Sequence, residues 1–178
     1  PALDQVLYEE SNPGFFLSLD ESADGAFLFL AAGDHQTQGQ WVLPLASAPE
    51  EPLRCLVEPM RGREVEVDHA HGRFWLRSNH EDPDFGVYTV PTEGPWGESN
   101  WQPLLPPAPG RYLLGFVLFE GFWARLERLV DNNAALNAAD SSSSPAPLKL
   151  LKKLPHWLSN GVEMAKLFLM SPIDSDKF

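Results

Sequence analysis

Cysteine occurs once, at Cys55, so an internal disulfide, a CxxC redox pair and a cysteine-based zinc site are all excluded. Lysine is absent from the first 148 residues; all five lysines stand at or after Lys149. Bases are scarce overall, 13 Lys and Arg against 25 Asp and Glu, for a net charge of −12 over 178 residues. That balance argues against a nucleic-acid partner, which requires a basic footprint, and against attraction to an anionic membrane. No apolar run reaches the roughly twenty residues of a membrane-spanning helix. A G-x-S-x-G elbow, a P-loop, a dinucleotide fingerprint and an H-E-x-x-H pair are all missing. No signal-peptide pattern opens the chain, so the expected location is cytoplasmic. Pro1 in place of methionine sets the expectation of a piece of a longer protein.

The charge is unevenly spread. Residues 1–60 hold ten acids and a single base, Arg54; residues 61–140 hold twelve acids and seven arginines. Residues 141–178 reverse the sign, with five lysines against three acids. Such a break marks the end of the chain as a different kind of segment from the rest.

What is present is a rhythm of short apolar runs. Phe15–Leu19 and Ala26–Leu30 flank Asp24-Gly25, a strong hairpin signal because both turn positions tolerate positive φ. Gln40–Leu45 and Leu53–Val57 supply two more strands, with Pro44 suited to a strand end. The cycle restarts with Glu64–Asp68, which alternates polar and apolar residues. It turns at His71-Gly72, returns through Arg73–Ser78, and continues through Phe85–Val90 and Trp101–Leu105. A third cycle opens with Tyr112–Leu118, turns near Glu120-Gly121 and returns through Phe122–Leu126. The turn glycines Gly25, Gly72 and Gly121 lie 47 and 49 residues apart. Four short strands recurring at that spacing make the blades of a β-propeller, whose sheets bury their faces by stacking on neighbours. A β-sandwich is the plainer alternative. The expected fold is therefore all-β: a partial β-propeller of two blades and the start of a third over residues 1–130. A linker or insertion follows over 131–147, around Ser141–Ser144, Pro145 and Pro147. Residues 148–178 form a lysine-bearing tail, irregular or in short helices with Lys149, Lys152, Lys153 and Lys166 solvated.

Candidate chemistry is thin. His69 and His71, two apart beside Asp68, face one side of an extended strand. A metal would need a third ligand from His80, Asp82 or Asp84, and an exposed polar hairpin is the expected state. No metal or cofactor is implied. Cys55, in an apolar strand without a neighbouring histidine, reads as a small buried hydrophobe rather than a nucleophile. Trp41, Trp75, Trp101 and Trp123 fall on or beside strands and read as blade packing. Trp96, between Pro95 and Gly97, reads as a loop aromatic at an interface. Glu81, Asp82 and Asp84 form an acidic loop whose field would attract cationic peptides or a basic partner. These four, Glu81, Asp82, Asp84 and Trp96, are the candidate interface residues; no catalytic residue is assigned.

Several pieces, in order, carry a family likeness. Asp4-Gln5-Val6-Leu7-Tyr8-Glu9-Glu10 with Phe15–Leu19 resembles the N-terminal propeller of the oligopeptidase B group in the prolyl oligopeptidase family of serine peptidases. Val65–His69 with Gly72–Asn79, then Trp101–Pro106, then Leu114–Phe119, are similar to the blades that follow. The likeness covers about residues 4–130. It implies a seven-bladed propeller that admits peptides to an α/β-hydrolase domain, with cleavage after Lys or Arg by a serine, histidine and aspartate. No matching catalytic segment stands here, so none of those roles transfers. The expected function is a propeller segment that controls peptide access and packs on that hydrolase domain, inactive by itself. A propeller-type protein-interaction module is the alternative, and a carbohydrate-binding sandwich a third. An open arc also implies self-association through exposed blade edges, with the apolar residues of the tail available to cover them.

Overall fold

The computed structural model describes residues 6–46, 51–129 and 165–169. They form two compact units, Pro1–Pro106 and Pro107–Phe178.

The first unit is two four-stranded antiparallel meanders. One holds β1 (Phe16–Glu21), β2 (Phe27–Gly33), β3 (Thr37–Pro44) and β4 (Arg54–Arg61), in that spatial order. The other holds β5 (Val65–Ala70), β6 (Arg73–Ser78), β7 (Gly86–Pro91) and β8 (Gln102–Leu105). These are the two blades that the sequence rhythm predicts, and the fold is a partial β-propeller. Alternation gives β2 a core face, whereas β6 and β7 are buried almost throughout. Phe27, Phe29, Val42, Leu56 and Val57 of the first sheet meet Val65, Phe74, Leu76, Tyr88, Val90 and Trp101 of the second in one continuous core. Neither sheet encloses this core alone; the seam between them is the hydrophobic centre of the unit.

Local chemistry fixes the turns and the register. His71 and Gly72 take φ values of 54° and 70°, the paired left-handed residues of a type I′ hairpin turn joining β5 to β6. Gly39 sits where the β3–β4 register shifts. A Cβ there would lie 2.7 Å from the Pro59 ring, so the bulge has room only for glycine. Pro44 closes β3, as the strand-end reading anticipates.

The second unit is a three-stranded sheet ordered β11-β10-β9, where β9 is Arg111–Leu118, β10 Trp123–Leu129 and β11 Ala165–Leu169. The third turn falls at Glu120-Gly121 as expected, but Gly121 is not left-handed. The turn is closed by the Phe119 N–H donating to the Phe122 carbonyl at 2.9 Å, with the two rings stacked at 4.6 Å. The helical reading of the tail is corrected over Ala165–Leu169. That segment is a strand, paired antiparallel with β10 so that Lys166 stands opposite Glu127. Its alternation (Ala165, Leu167 and Leu169 against Lys166 and Phe168) suits a strand, and the backbone pairing open on one side of β10 outweighs a short helix's marginal propensity. The linker 131–147 and the lysines at 149, 152 and 153 lie outside the described residues.

Candidate functional site

Among the described residues of the first unit, a polar cluster forms where the β1–β2 loop of one blade meets β5 and the β7–β8 loop of the next. Alternation on β5 puts Val65, Val67 and His69 on the core face. His69 is 4% exposed, with its ring edge-on to Phe27 at 4.5 Å and to Phe74 at 5.0 Å. Its Nδ1 lies 2.8 Å from Asp24 Oδ2 and its Nε2 2.7 Å from Thr92 Oγ1. The neutral tautomer that donates from Nδ1 to the carboxylate and accepts from the threonine hydroxyl satisfies all three groups. Burial holds the imidazole below the ordinary histidine range, against the pull of Asp24. Burial raises Asp24, but hydrogen bonds from Ser22, Ala26 and His69, together with the His69 charge, outweigh it and keep the carboxyl low.

An acid, an imidazole and a hydroxyl in line are the partner types of a nucleophilic triad. Here the imidazole is sealed between two phenylalanine rings. The arrangement clamps one blade to the next and presents no base to a substrate. The exposed-hairpin expectation for His69 is thus corrected, because β5's alternation turns His69 inward. His71, at the positive-φ turn position, is exposed and does not converge with it. No group of three metal-ligating side chains occurs among the described residues.

Asp68 reinforces the same junction. Its Oδ1 accepts from the backbone N–H of Ala23 across the blades at 2.8 Å and from that of His69 at 2.7 Å. Burial pushes this carboxyl up to about 6, its two N–H donors pull against the shift, and Asp20 and Asp24 add to it. The folded value stands above the unfolded one of 3.8, so ionised Asp68 costs stability at neutral pH, and the cost disappears as pH falls and the folded state takes up a proton. Asp68→Asn keeps an acceptor for both N–H groups and removes the charge. It is expected to raise unfolding free energy by about 1 kcal/mol at pH 7, with the advantage gone by about pH 4, measured by urea titration at both values.

Further along the seam, the 92–100 loop of the second blade reaches β4 of the first. The Trp96 indole N–H donates to the carbonyls of Pro91 and Thr92 at 3.2 and 3.1 Å, and its ring meets Phe74 at 5.5 Å. The Arg54 guanidinium lies over the Trp96 ring at 4.1 Å from its centroid. Buried Arg63 pairs with Glu98. Trp96 is thus half-buried and packs at a seam inside this unit. Asp24, Thr92, Arg54, Arg63 and Glu98 escape sequence reasoning because they are loop or edge residues whose partners are distant in the chain.

The acidic loop is built locally. Glu81 is exposed and accepts the Tyr88 hydroxyl at 2.8 Å. Asp82 Oδ1 accepts the N–H of Asp84 at 2.8 Å, closing a tight turn in which both aspartates are half-buried. Cys55 is half-buried rather than fully buried, and burial followed by Glu58 pushes its thiol up to about 12, far from a reactive thiolate. In the second unit, buried Glu127 faces Arg125 Nε at 2.8 Å and Arg111 Nε at 3.5 Å. Burial raises its carboxyl and the two guanidinium groups offset part of the rise.

Residues 2–155 match the family model described as prolyl oligopeptidase, N-terminal β-propeller domain. Among solved structures, oligopeptidase B from Leishmania major is 18% identical, with a TM-score of 0.64 over 72% of this chain and 18% of that one. Oligopeptidase B from Trypanosoma brucei is 19% identical, with a TM-score of 0.61 over 69% of this chain and 18% of that one. One of a pair of prolyl endopeptidases is 24% identical, with a TM-score of 0.62 over 71% of this chain and 18% of that one. These likenesses carry the fold. A different similarity accompanies them: 57 residues are 84% identical to a magnesium-protoporphyrin IX monomethyl ester [oxidative] cyclase of Parasynechococcus marenigrum. That match takes in 32% of this chain and 16% of the cyclase, so the chain spans about a sixth of the curated relatives it matches. Nothing in the described residues accounts for it.

Proposed function

From the premise that this chain belongs to the prolyl oligopeptidase N-terminal β-propeller family, we propose that it serves as a propeller segment of an oligopeptidase-B-like serine endopeptidase. The family model's match to residues 2–155, over two complete blades, is the observation that carries the reading. Blades clamped by His69 and by the Trp96 loop make a rigid wall, and a rigid wall admits extended peptides while excluding folded proteins. The parent reaction is peptide-bond hydrolysis through an acyl-enzyme, and a hydrolase domain beyond these residues supplies its nucleophile, base and orienting acid. Preference for Lys or Arg before the scissile bond agrees with the acidic balance of the propeller, whose field raises the local concentration of cationic peptides. The acidic loop Glu81, Asp82 and Asp84 contributes to that field.

The test uses two proteins and two substrates. The 178-residue chain alone is expected to hydrolyse neither an arginyl nor a prolyl peptide. The product of the complete coding sequence is expected to cleave the arginyl peptide at least about tenfold faster, as kcat/KM, than the prolyl one. A prolyl preference overturns the specificity, and turnover by the short chain overturns its inactivity. A complete product with neither activity favours a protein-interaction module.

A further inference from the structure

We infer that the β6–β7 loop, residues 79–85, is a pH-gated flap: protonation of His80 drives its ring out of an aromatic seat and releases the acidic turn beside it. The inference does not rest on the peptidase reading. It stands on two features at opposite ends of one loop, a buried imidazole without a hydrogen bond and a strained aromatic residue.

The His80 side chain is 12% exposed. Its ring lies edge-on to Tyr88 of β7 at 4.3 Å and to Trp101, just before β8, at 4.9 Å. Both of those rings are buried. The His80 Nδ1 has no hydrogen-bond partner among the described residues, and Nε2 stands 3.8 Å from Glu81 Oε1, too far for a hydrogen bond. The Tyr88 hydroxyl donates to the other oxygen of that carboxylate at 2.8 Å and so anchors the loop. The charged groups around the ring are Glu81 on its own loop, Arg63 from the β4–β5 connection and Glu98 from the 92–100 loop. Burial opposes the imidazolium most strongly and Arg63 adds to it; Glu81 and Glu98 favour the cation but are outweighed, which keeps His80 below the ordinary histidine range. Charging the ring would bury two N–H donors with no acceptor in hydrogen-bond reach, so the cation is driven toward water.

At the other end of the loop, buried Phe85 has a φ of 65°, a left-handed conformation that a bulky residue rarely adopts. Two contacts hold it there. The Arg77 guanidinium lies over its ring at 3.8 Å, and its N–H donates to the Asp82 carbonyl at 3.1 Å. The closed loop is therefore strained at Phe85, and opening relaxes it. Glu81, Asp82 and Asp84 lie between His80 and Phe85 and move with the flap. The closed form is fully favoured above about pH 6.5, the value of a solvated histidine, and loses its advantage as pH falls below it. Between about pH 7.5 and 5.5 this linkage raises the opening constant by at most about tenfold.

Hydrogen exchange on the full chain, read residue by residue by NMR, tests the flap. The N–H groups of Asp84 and Phe85 are both bonded to Asp82 within the closed turn. Their protection, corrected for intrinsic exchange, is expected to fall at least about threefold from about pH 7.5 to 5.5. His80→Leu keeps an apolar side chain in the seat and cannot titrate, so it is expected to protect the turn equally at both pH values. Glu81→Gln retains an acceptor for the Tyr88 hydroxyl but loses a charge that favours the imidazolium. It is expected to move the NMR titration of the His80 ring to lower pH. Protection that does not change with pH, a change shared by His80→Leu, or a ring titration that Glu81→Gln leaves in place or moves to higher pH each overturns the proposal.

Discussion

Phe74→Ala is expected to lower the unfolding free energy of the first unit by about 4 kcal/mol, the largest single-residue loss among the changes considered. Phe74 is fully buried on β6, with rings of Phe27 at 5.0 Å, Phe29 at 6.2 Å, His69 at 5.0 Å and Trp96 at 5.5 Å around it. Two of those neighbours belong to the first blade and two to the second. The void left by the ring therefore lies between two hydrogen-bonded sheets, and neither backbone moves inward without breaking its own ladder. Sites that do not collapse show the upper part of the range for such truncations. Phe74→Leu retains most of the volume and is expected to cost about 1.5 kcal/mol. Urea unfolding followed by tryptophan fluorescence, which reports on Trp96 and Trp101 at the seam, measures both. Since domains of this kind hold roughly 5–15 kcal/mol in all, the alanine variant should be largely unfolded well below the wild-type midpoint. An alanine cost below about 1 kcal/mol shows a seam that repacks.

Strand order and turn position were legible because they are local. Alternation in Glu64–Asp68, the Asp24-Gly25 and His71-Gly72 pairs and the proline at position 44 each act over a few residues, and each falls where its chemistry predicts. The beat of the three turns was legible for a looser reason. Gly25 and Gly72 are left-handed and Gly121 is not, so the spacing reflects the size of a four-stranded unit rather than one repeated turn. The seam was not legible, because its specificity lies in pairs 45 and 23 residues apart, Asp24 with His69 and His69 with Thr92. Sequence proximity drew His69 and His71 together, whereas the turn between them separates a buried imidazole from an exposed one. Trp96 shows the same limit. A tryptophan between proline and glycine has no local reason to be buried; Arg54 and Phe74 supply that reason from other strands. Ala165–Leu169 is short enough that its pairing with β10, not its own propensity, decides its state.

His69→Ala is expected to cost about 3 kcal/mol at pH 7.5, nearly as much as losing Phe74, although the side chain removed is smaller and polar. The loss has two sources. Packing against Phe27 and Phe74 goes, and the Asp24 carboxylate and the Thr92 hydroxyl each lose the buried imidazole that joins them across the blades. Thr92→Val removes only one of the two hydrogen bonds and is expected to cost about 1 kcal/mol. The double variant should cost clearly less than the sum of the singles, since the shared bond is lost once. The pH response separates the clamp from simple packing. His69 is held below its unfolded pKa of about 6.5, so as pH falls through that value the unfolded chain takes up a proton that the folded chain resists. Relative to His69→Ala, the wild type therefore loses an increment of stability between about pH 7.5 and 5.5, and the gap between the two proteins narrows; the opposite contribution of Asp68 in this window is common to both and cancels in the difference. Asp24 does not confuse the comparison, because its low folded pKa confines its effect to more acid conditions. Urea titrations at the two pH values give both numbers. A gap that stays constant or widens toward acid shows an imidazole already protonated in the folded state, in which case the Asp24–His69 contact is an ion pair and Thr92 accepts from the ring instead of donating to it.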